Sequence, residues 1–279
     1  MFRISVIIPT FNRAHSLPRA LLSVLNQTLP PEELIVVDDG SDDNTELLIR
    51  ETFPQVRYVK QAQQGVSAAR NLGIELAQGD WIALLDSDDE WLPSKLENQV
   101  QLLKKNPDYK VCHTEEIWIR HGVRVNQMNK HKKVGGWIYQ QCLPLCAMSP
   151  SSIVLHKSLF AEVGNFKEEL PACEDYDLWL RICARHPVLF IEQPCIKKYG
   201  GHEDQLSQKH WGMDRFRIQA LASMLDMDVL SEDDKHATRK MLKKKINIFL
   251  KGAKKHSNDE AVSHYQTMLE KYQLVGSEK

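Results

Sequence analysis

Ala83-Leu84-Leu85-Asp86-Ser87-Asp88-Asp89-Glu90 is a stretch in which an apolar run breaks into four carboxylates within five residues. Like charges gathered at the end of a buried strand repel one another unless positive charge sits between them. A bound divalent cation is the simplest compensation. Oxygen-only ligands favour Mg²⁺ or Mn²⁺, and the usual third party is a phosphate, which could not approach bare carboxylates without the bridging ion. A plainer reading is an acidic loop opening the next helix, because Asp and Glu suit helix N-termini. Taken alone, the stretch leaves the two readings even.

The run Trp81 to Leu85 is the fourth of a series. Ile4 to Ile8, Leu34 to Val37 and Val56 to Val59 are further short apolar runs that read as strands. Helix patterns separate them: one capped by Ser16 with Leu17, Leu21, Val24 and Leu25 at helical spacing, one over Asn44 to Phe53, and one over Val66 to Ala77 stopped by Gly79. Continuous apolar strands alternating with helices predict a parallel sheet covered on both faces, which binds ligands at the carboxyl ends of its strands. Pro9-Thr10-Phe11-Asn12, the segment Asp38 to Asp43 and the acidic stretch follow three of those strands. Three chemically loaded loops should therefore converge on one edge.

Past a helix starting near Pro93 the alternation loosens. Glu116 to Arg120 and Val123 to Asn126 flank His121-Gly122, a two-residue hairpin turn, and Ile153 to Leu155 reads as another strand. Helices are expected over Lys157 to Val163, ended by Gly164, and over Glu174 to Arg185, followed by a strand at Val188 to Ile191. From His210 the chain reads as helices only, with Ser231 and Asn258 as caps.

Composition bounds the function. With 279 residues, 42% hydrophobic and 26% charged, the chain can bury a sizeable core, and a net charge of -1 offers no overall case for nucleic acid. Ile4 to Ile8 is too short for a membrane span and ends at Pro9, so a cytoplasmic protein is expected. The six cysteines are scattered and read as reduced; Cys142 and Cys146 lack partners at zinc-site spacing and read as structural.

In order, Val6-Ile7-Ile8-Pro9-Thr10-Phe11-Asn12, Val36-Val37-Asp38-Asp39-Gly40-Ser41, Gly65-Val66-Ser67-Ala68-Ala69-Arg70-Asn71, Asp86-Ser87-Asp88 and Glu174-Asp175-Tyr176-Asp177-Leu178-Trp179-Leu180 resemble the family 2 glycosyltransferases. Several ordered motifs are far more specific than a lone Asp-x-Asp. The resemblance spans residues 3 to 210. It implies an α/β GT-A fold: a Rossmann-like, mostly parallel sheet with helices on both faces, then a small acceptor-side region and a C-terminal helical tail. The corresponding division is 1–205, itself split at 110/111 into nucleotide-sugar and acceptor halves, and 206–279. The implied chemistry is metal-dependent, inverting transfer from a nucleotide-diphosphate sugar, a UDP-sugar by expectation, to a carbohydrate or lipid-linked glycan acceptor. Cell-surface polysaccharide or glycolipid synthesis is the expected setting.

Carried over residue by residue, the resemblance assigns Pro9, Thr10, Phe11 and Asp39 to the nucleotide pocket. An aromatic face stacks on a base, and a carboxylate accepts from base or ribose. The family often has Tyr where this chain has Phe11. Arg70 is assigned to the diphosphate, with a cap or ion pair as the plainer role. Asp86 resembles the ribose contact and Asp88 the ligand of a bridging Mn²⁺ or Mg²⁺, with Asp89 able to help either and His202 of Tyr199-Gly200-Gly201-His202 a further ligand. Asp175 resembles the general base that takes the acceptor hydroxyl proton. Helix N-terminal charge compensation is its plainer role. Asp177 and Trp179 fall near the acceptor side, and Trp179 could equally be core.

Arg239 to Lys255 carries eight basic residues and no acidic one, with Leu242, Ile246, Phe249, Leu250 and Ala253 as an apolar stripe. Such a helix lies on anionic lipid or, more commonly, packs its stripe on neighbours. Two other function classes fit parts of the sequence. A sugar nucleotidyltransferase would carry a glycine-rich phosphate loop after the first strand, and Pro9 to His15 has no glycine. A non-catalytic, Mg²⁺-dependent phosphate-binding module would end near residue 120 and leave Glu174-Asp175 unexplained.

Overall fold

A computed structural model describes residues 2–201 and 212–274. The expected alternation is present as β1 (Ile4–Thr10), α1 (Leu17–Leu25), β2 (Glu33–Asp38), α2 (Thr45–Thr52), β3 (Arg57–Lys60), α3 (Val66–Leu76) and β4 (Trp81–Leu84). β1 lies between β2 and β4, parallel to both, with Val6 opposite Leu34 and Ala83. Neighbouring residues of β1 serve opposite cores: Val6 and Ile8 pack on one face of the sheet, Ile7 on the other. That is why the strand reads as an unbroken apolar run.

Two local expectations change. Ser16 precedes α1, but its hydroxyl caps no helix N–H. Gly79 does not cap α3, which ends at Leu76 with Ala77 as its C-cap. A Cβ at Gly79 would lie 2.7 Å from the Arg3 carbonyl and from Ser5 Oγ, so glycine there lets the loop press against β1.

The second half is less regular. It contains β5 (Glu90–Trp91), α4 (Lys95–Lys105), β6 (Val111–Arg120), β7 (Val123–Val125), α5 (Tyr139–Cys142), β8 (Val154–His156), α6 (Ser158–Val163), α7 (Glu174–Cys183) and β9 (Leu189–Gly200). The sheet runs β3-β2-β1-β4-β8-β6-β9-β5, with β7 hanging from β6. Parallel pairing rules the first four strands; beyond them β8 and β5 pair antiparallel, while β6 and β9 meet in parallel. The predicted turn is there, with φ of 47° at His121 and 77° at Gly122, the left-handed pair that a tight hairpin requires.

After the cleft region come α8 (Asp214–Asp226), α9 (Glu232–Lys255) and α10 (Asp259–Lys271). Ser231 Oγ and Asn258 Oδ1 cap α9 and α10 as expected. The stripe of α9 is consumed by packing: Leu242, Ile246, Leu250 and Ala253 are buried, and Phe249 packs against Tyr265 with ring centres 4.6 Å apart. Its apolar face is therefore not open to lipid. Lys245 turns inward as well, onto Asp214 at 3.0 Å and the Pro144 carbonyl.

Lys95 of α4 has no exposed surface and lies over Trp91, 3.9 Å from the ring centre, with its ammonium donating to Gln99 Oε1 at 2.8 Å. Burial pushes its pKa down to about 7. The unfolded chain, with an ordinary lysine, binds the proton more readily between pH 7 and 10. Lys95 therefore makes wild-type stability rise with pH across that window, by roughly 1.4 kcal/mol per pH unit. Lys95→Met should be more stable than wild type near pH 7, with the advantage shrinking toward pH 10. Urea unfolding of both proteins at several pH values checks this; a constant difference would refute it.

Candidate active site

Three strand ends and the start of α7 enclose a cleft of about 620 Å³, within the range of small-molecule sites. Pro9, Thr10, Phe11, Asp39, Arg70, Asp86, Asp88, Asp89 and Asp175 all line it. His202 lies outside the described residues. Phe11 belongs to neither core cluster and stands half-buried on the wall, open to stacking.

The first two loops are laced together. Asn12, at φ 53°, donates through its backbone N–H to Ser41 Oγ and accepts from the Asp42 N–H. Asp38 Oδ1 accepts from the Ser41 N–H, and the Tyr58 hydroxyl donates to Asp38 Oδ2. Asp39 accepts from Gln61 Nε2 at 2.7 Å and from the Gln64 and Gly65 N–H groups at 2.8 Å. It thus fixes the approach to α3, the helix that carries Arg70.

Arg70 is 3% exposed. Its two terminal nitrogens donate to Asp86 Oδ1 at 2.8 Å and to Glu174 Oε1 at 2.5 Å. The guanidinium therefore braces the end of β4 against the start of α7, and the fork geometry suits that role. Burial and Asp175 push the Glu174 carboxyl up, against the opposing pull of Arg70.

The acidic cluster divides. Asp86 and Asp88 are half-buried at the cleft, while Asp89 is buried with Oδ2 accepting from Ser151 Oγ at 2.6 Å and Oδ1 from the Tyr199 N–H at 2.9 Å. Burial, then Asp88 and Asp86, hold the Asp89 carboxyl well above the usual range. Positive charge comes partly from the protein. Burial pulls the Lys198 ammonium down, but Glu116, Asp89 and Asp86 outweigh it and hold it above its ordinary value. Sequence reasoning missed Lys198, because a lysine within a β9 otherwise read only to Ile191 gave no signal. Among the described residues no group of three or more His, Cys, Asp or Glu is arranged to hold a metal by itself. The donor chemistry nevertheless fits a hard cation that would take further oxygens from a diphosphate: the carboxylates of Asp86 and Asp88 both line the cleft.

Asp175 is half-buried at the N-terminus of α7. Oδ1 accepts from the Tyr176 N–H at 2.7 Å, and the Cys146 thiol lies 3.1 Å from Oδ2. Burial first, then Asp175, push that thiol well up, so it remains a protonated donor. Cys146, read from sequence as structural, thus stands beside the candidate base. Of the two residues read near the acceptor side, Asp177 is not on the cleft and Trp179 takes its core alternative. Asp177 is buried in an ion pair with Arg181 at 2.7 Å, and Trp179 is core, with its indole N–H donating to the Met148 carbonyl.

The family model described as Glycosyl transferase family 2 matches residues 5–142. The chain is 33% identical over 184 residues to WfgD of Escherichia coli, named as a UDP-Glc:alpha-D-GlcNAc-diphosphoundecaprenol beta-1,3-glucosyltransferase, covering 65% of this chain and 70% of that one. An uncharacterized glycosyltransferase of Rickettsia conorii is 34% identical over 213 residues, 74% of this chain and 35% of its own. The chain thus spans about a third of that relative's length. In three dimensions, residues 1–349 of S. aureus TarS in complex with UDP-GlcNAc superpose with a TM-score of 0.71 at 18% identity, covering 86% of this chain and 72% of that one. That likeness shows the fold, GT-A. The chain belongs to glycosyltransferase family 2.

Proposed function

We propose that the cleft transfers a sugar, with inversion, from a UDP-sugar to a hydroxyl of a lipid-linked glycan in cell-surface polysaccharide or glycolipid synthesis on the cytoplasmic side of a membrane. The observation that carries this reading is the Arg70 brace, which holds the carboxylates at the end of β4 and the helix bearing Asp175 on one cleft. The named substrates of WfgD and the UDP-GlcNAc complex of TarS support the choice of donor and acceptor class. Among the described residues no helix is long and apolar enough to cross a membrane.

In this mechanism Phe11 stacks on the base, with Thr10 and Asp39 beside it, and Asp86 takes the ribose. Asp88 would hold Mn²⁺ or Mg²⁺, which when bound offsets charge growing on the departing nucleoside diphosphate. Asp89 positions rather than ligates, because both its oxygens already fix Ser151 and Tyr199. Arg70 likewise acts through Asp86 and Glu174. Asp175 Oδ2 takes the acceptor proton as the new glycosidic bond forms, beside the Cys146 thiol, whose one proton is shared between that oxygen and the Met148 carbonyl, each 3.1 Å away.

The nucleotide half is tested by calorimetry with UDP and GDP in Mn²⁺, Mg²⁺ or EDTA, followed by a panel of UDP-sugars. UDP should bind at least about tenfold more weakly in EDTA, the size of one lost charge-assisted contact. Asp88→Asn should abolish the metal's benefit in a folded protein. Equal affinity with and without metal would remove the bridging role.

A further inference from the structure

The longest charge asymmetry in the chain lies outside the cleft. Between Glu116 and Glu162 there is no acidic residue, while Arg120, Arg124, Lys130, Lys132, Lys133 and Lys157 fall within that interval. Lys133 is spent at the base, 3.4 Å from Glu116 in a buried pair. Arg124, Lys130 and Lys132 are exposed around the β6–β7 hairpin, and among them stand two apolar side chains, Val123 at 65% and Met128 at 57% exposure. Single exposed aliphatic groups are ordinary on a protein surface, and it is their grouping with cations on one hairpin that gives this face the character of a membrane-surface element.

The hairpin is joined to the cleft. β6 pairs with β9 so that Trp118 faces Lys198, Ile119 faces Tyr199 and Arg120 faces Gly200. Lys198 and Tyr199 line the cleft wall. At the turn itself, His121 packs against Gly201, where an added Cβ would come within 3.0 Å of its ring nitrogen. The segment after β7 is anchored too: Gln127 donates to Glu115 Oε1 at 2.9 Å, and His131 packs on Trp118 at 4.9 Å.

We infer that the β6–β7 hairpin docks the enzyme on an anionic lipid bilayer, with Val123 and Met128 entering the acyl boundary and Arg124, Lys130 and Lys132 meeting the headgroups. Apolar tips set among cations match the two forces that hold a peripheral protein on a membrane, and the two carboxylates of the hairpin are engaged at its base, Glu115 by Gln127 and Glu116 by Lys133. A free polyanion would use the cations and leave Val123 and Met128 in water. The lysine face of α9 (Lys240, Lys244, Lys251 and Lys255 around Ile248) is the rival surface, but α9 opens with Glu232, Asp233 and Asp234, which anionic lipid would repel. Docked by the hairpin, the enzyme would present the β9 side of the cleft to the membrane, where a lipid-linked acceptor resides.

Flotation of the full chain tests this without donor or acceptor, so its outcome is separate from the transfer reaction. The wild type should float with vesicles of phosphatidylglycerol and phosphatidylcholine at low salt and stay down with phosphatidylcholine alone. Each cationic residue near such a surface is worth about fivefold in partitioning, so Arg124→Gln with Lys130→Gln should lower it about 25-fold. Val123→Ser with Met128→Ser should remove the binding that survives high salt. Lys244→Gln with Lys251→Gln should leave flotation unchanged. All substituted positions are exposed or at the surface, and circular dichroism confirms folding. No flotation of the wild type, equal flotation on neutral vesicles, or loss only with the α9 pair would overturn the assignment.

Discussion

Arg70→Ala should destabilise the protein by about 3 to 5 kcal/mol, the cost of removing one partner from a buried ion pair and leaving the other uncompensated. Arg70 is 3% exposed and joins Asp86 to Glu174 across the cleft floor. Without it the Glu174 carboxyl, already pushed up by burial and by Asp175, would lose the partner that opposes that push. A loss of this size is a large share of the 5 to 15 kcal/mol that holds a typical domain. Arg70→Lys should fall between, because one ammonium cannot bridge two carboxylates as the planar fork does. Combining Arg70→Ala with Glu174→Gln should recover part of the loss, since the buried carboxyl that needed a partner is gone. Urea unfolding of the three variants reads the effect, and a change below 1 kcal/mol for Arg70→Ala would show that the brace is incidental.

The parts of the fold that were legible in the sequence are those whose burial is uniform. β1, β2 and β4 are covered on both faces, so their apolar runs are continuous and their polar ends mark the cleft. β6 and β9 were legible only in fragments. They carry His113, Thr114, Glu116 and Lys198 inward, and those groups are tolerated through pairing with residues distant in sequence, as Glu116 with Lys133. Arg70 and Glu174 are 104 positions apart, so periodicity could place each on a helix but could not join them. Asp177 did carry a local sign of its structural role, Arg181 one helical turn later. The amphipathic stripe of α9 was plain in the sequence; that α8 and α10 would cover it was not.

Cys146 is the clearest residue of an apparently structural set that the fold brings to the candidate site. Its spacing from Cys142 pointed only to the absence of a metal site, whereas the fold brings its sulfur 3.1 Å from Asp175. Cys142 meets Cys183 instead, at 4.0 Å in the core.

The central claim, that Asp175 is the general base of a sugar transfer carried out in this cleft, is tested most directly by measuring transfer rate and UDP affinity side by side for wild type, Asp175→Asn and Glu174→Gln. Asparagine keeps the shape of Asp175 and its bond from the Tyr176 N–H but cannot take a proton. Turnover should therefore fall by about 10²- to 10⁴-fold. In the proposed mechanism the loops after β1, β2 and β4 hold the nucleotide, so UDP affinity should stay within about twofold, a shift of roughly 0.4 kcal/mol. Glu174→Gln keeps a neutral acceptor for Arg70 and should retain far more activity than Asp175→Asn. If α7 acted only through the charge at its N-terminus, the two substitutions would give similar losses. Near-normal transfer by folded Asp175→Asn would contradict the account.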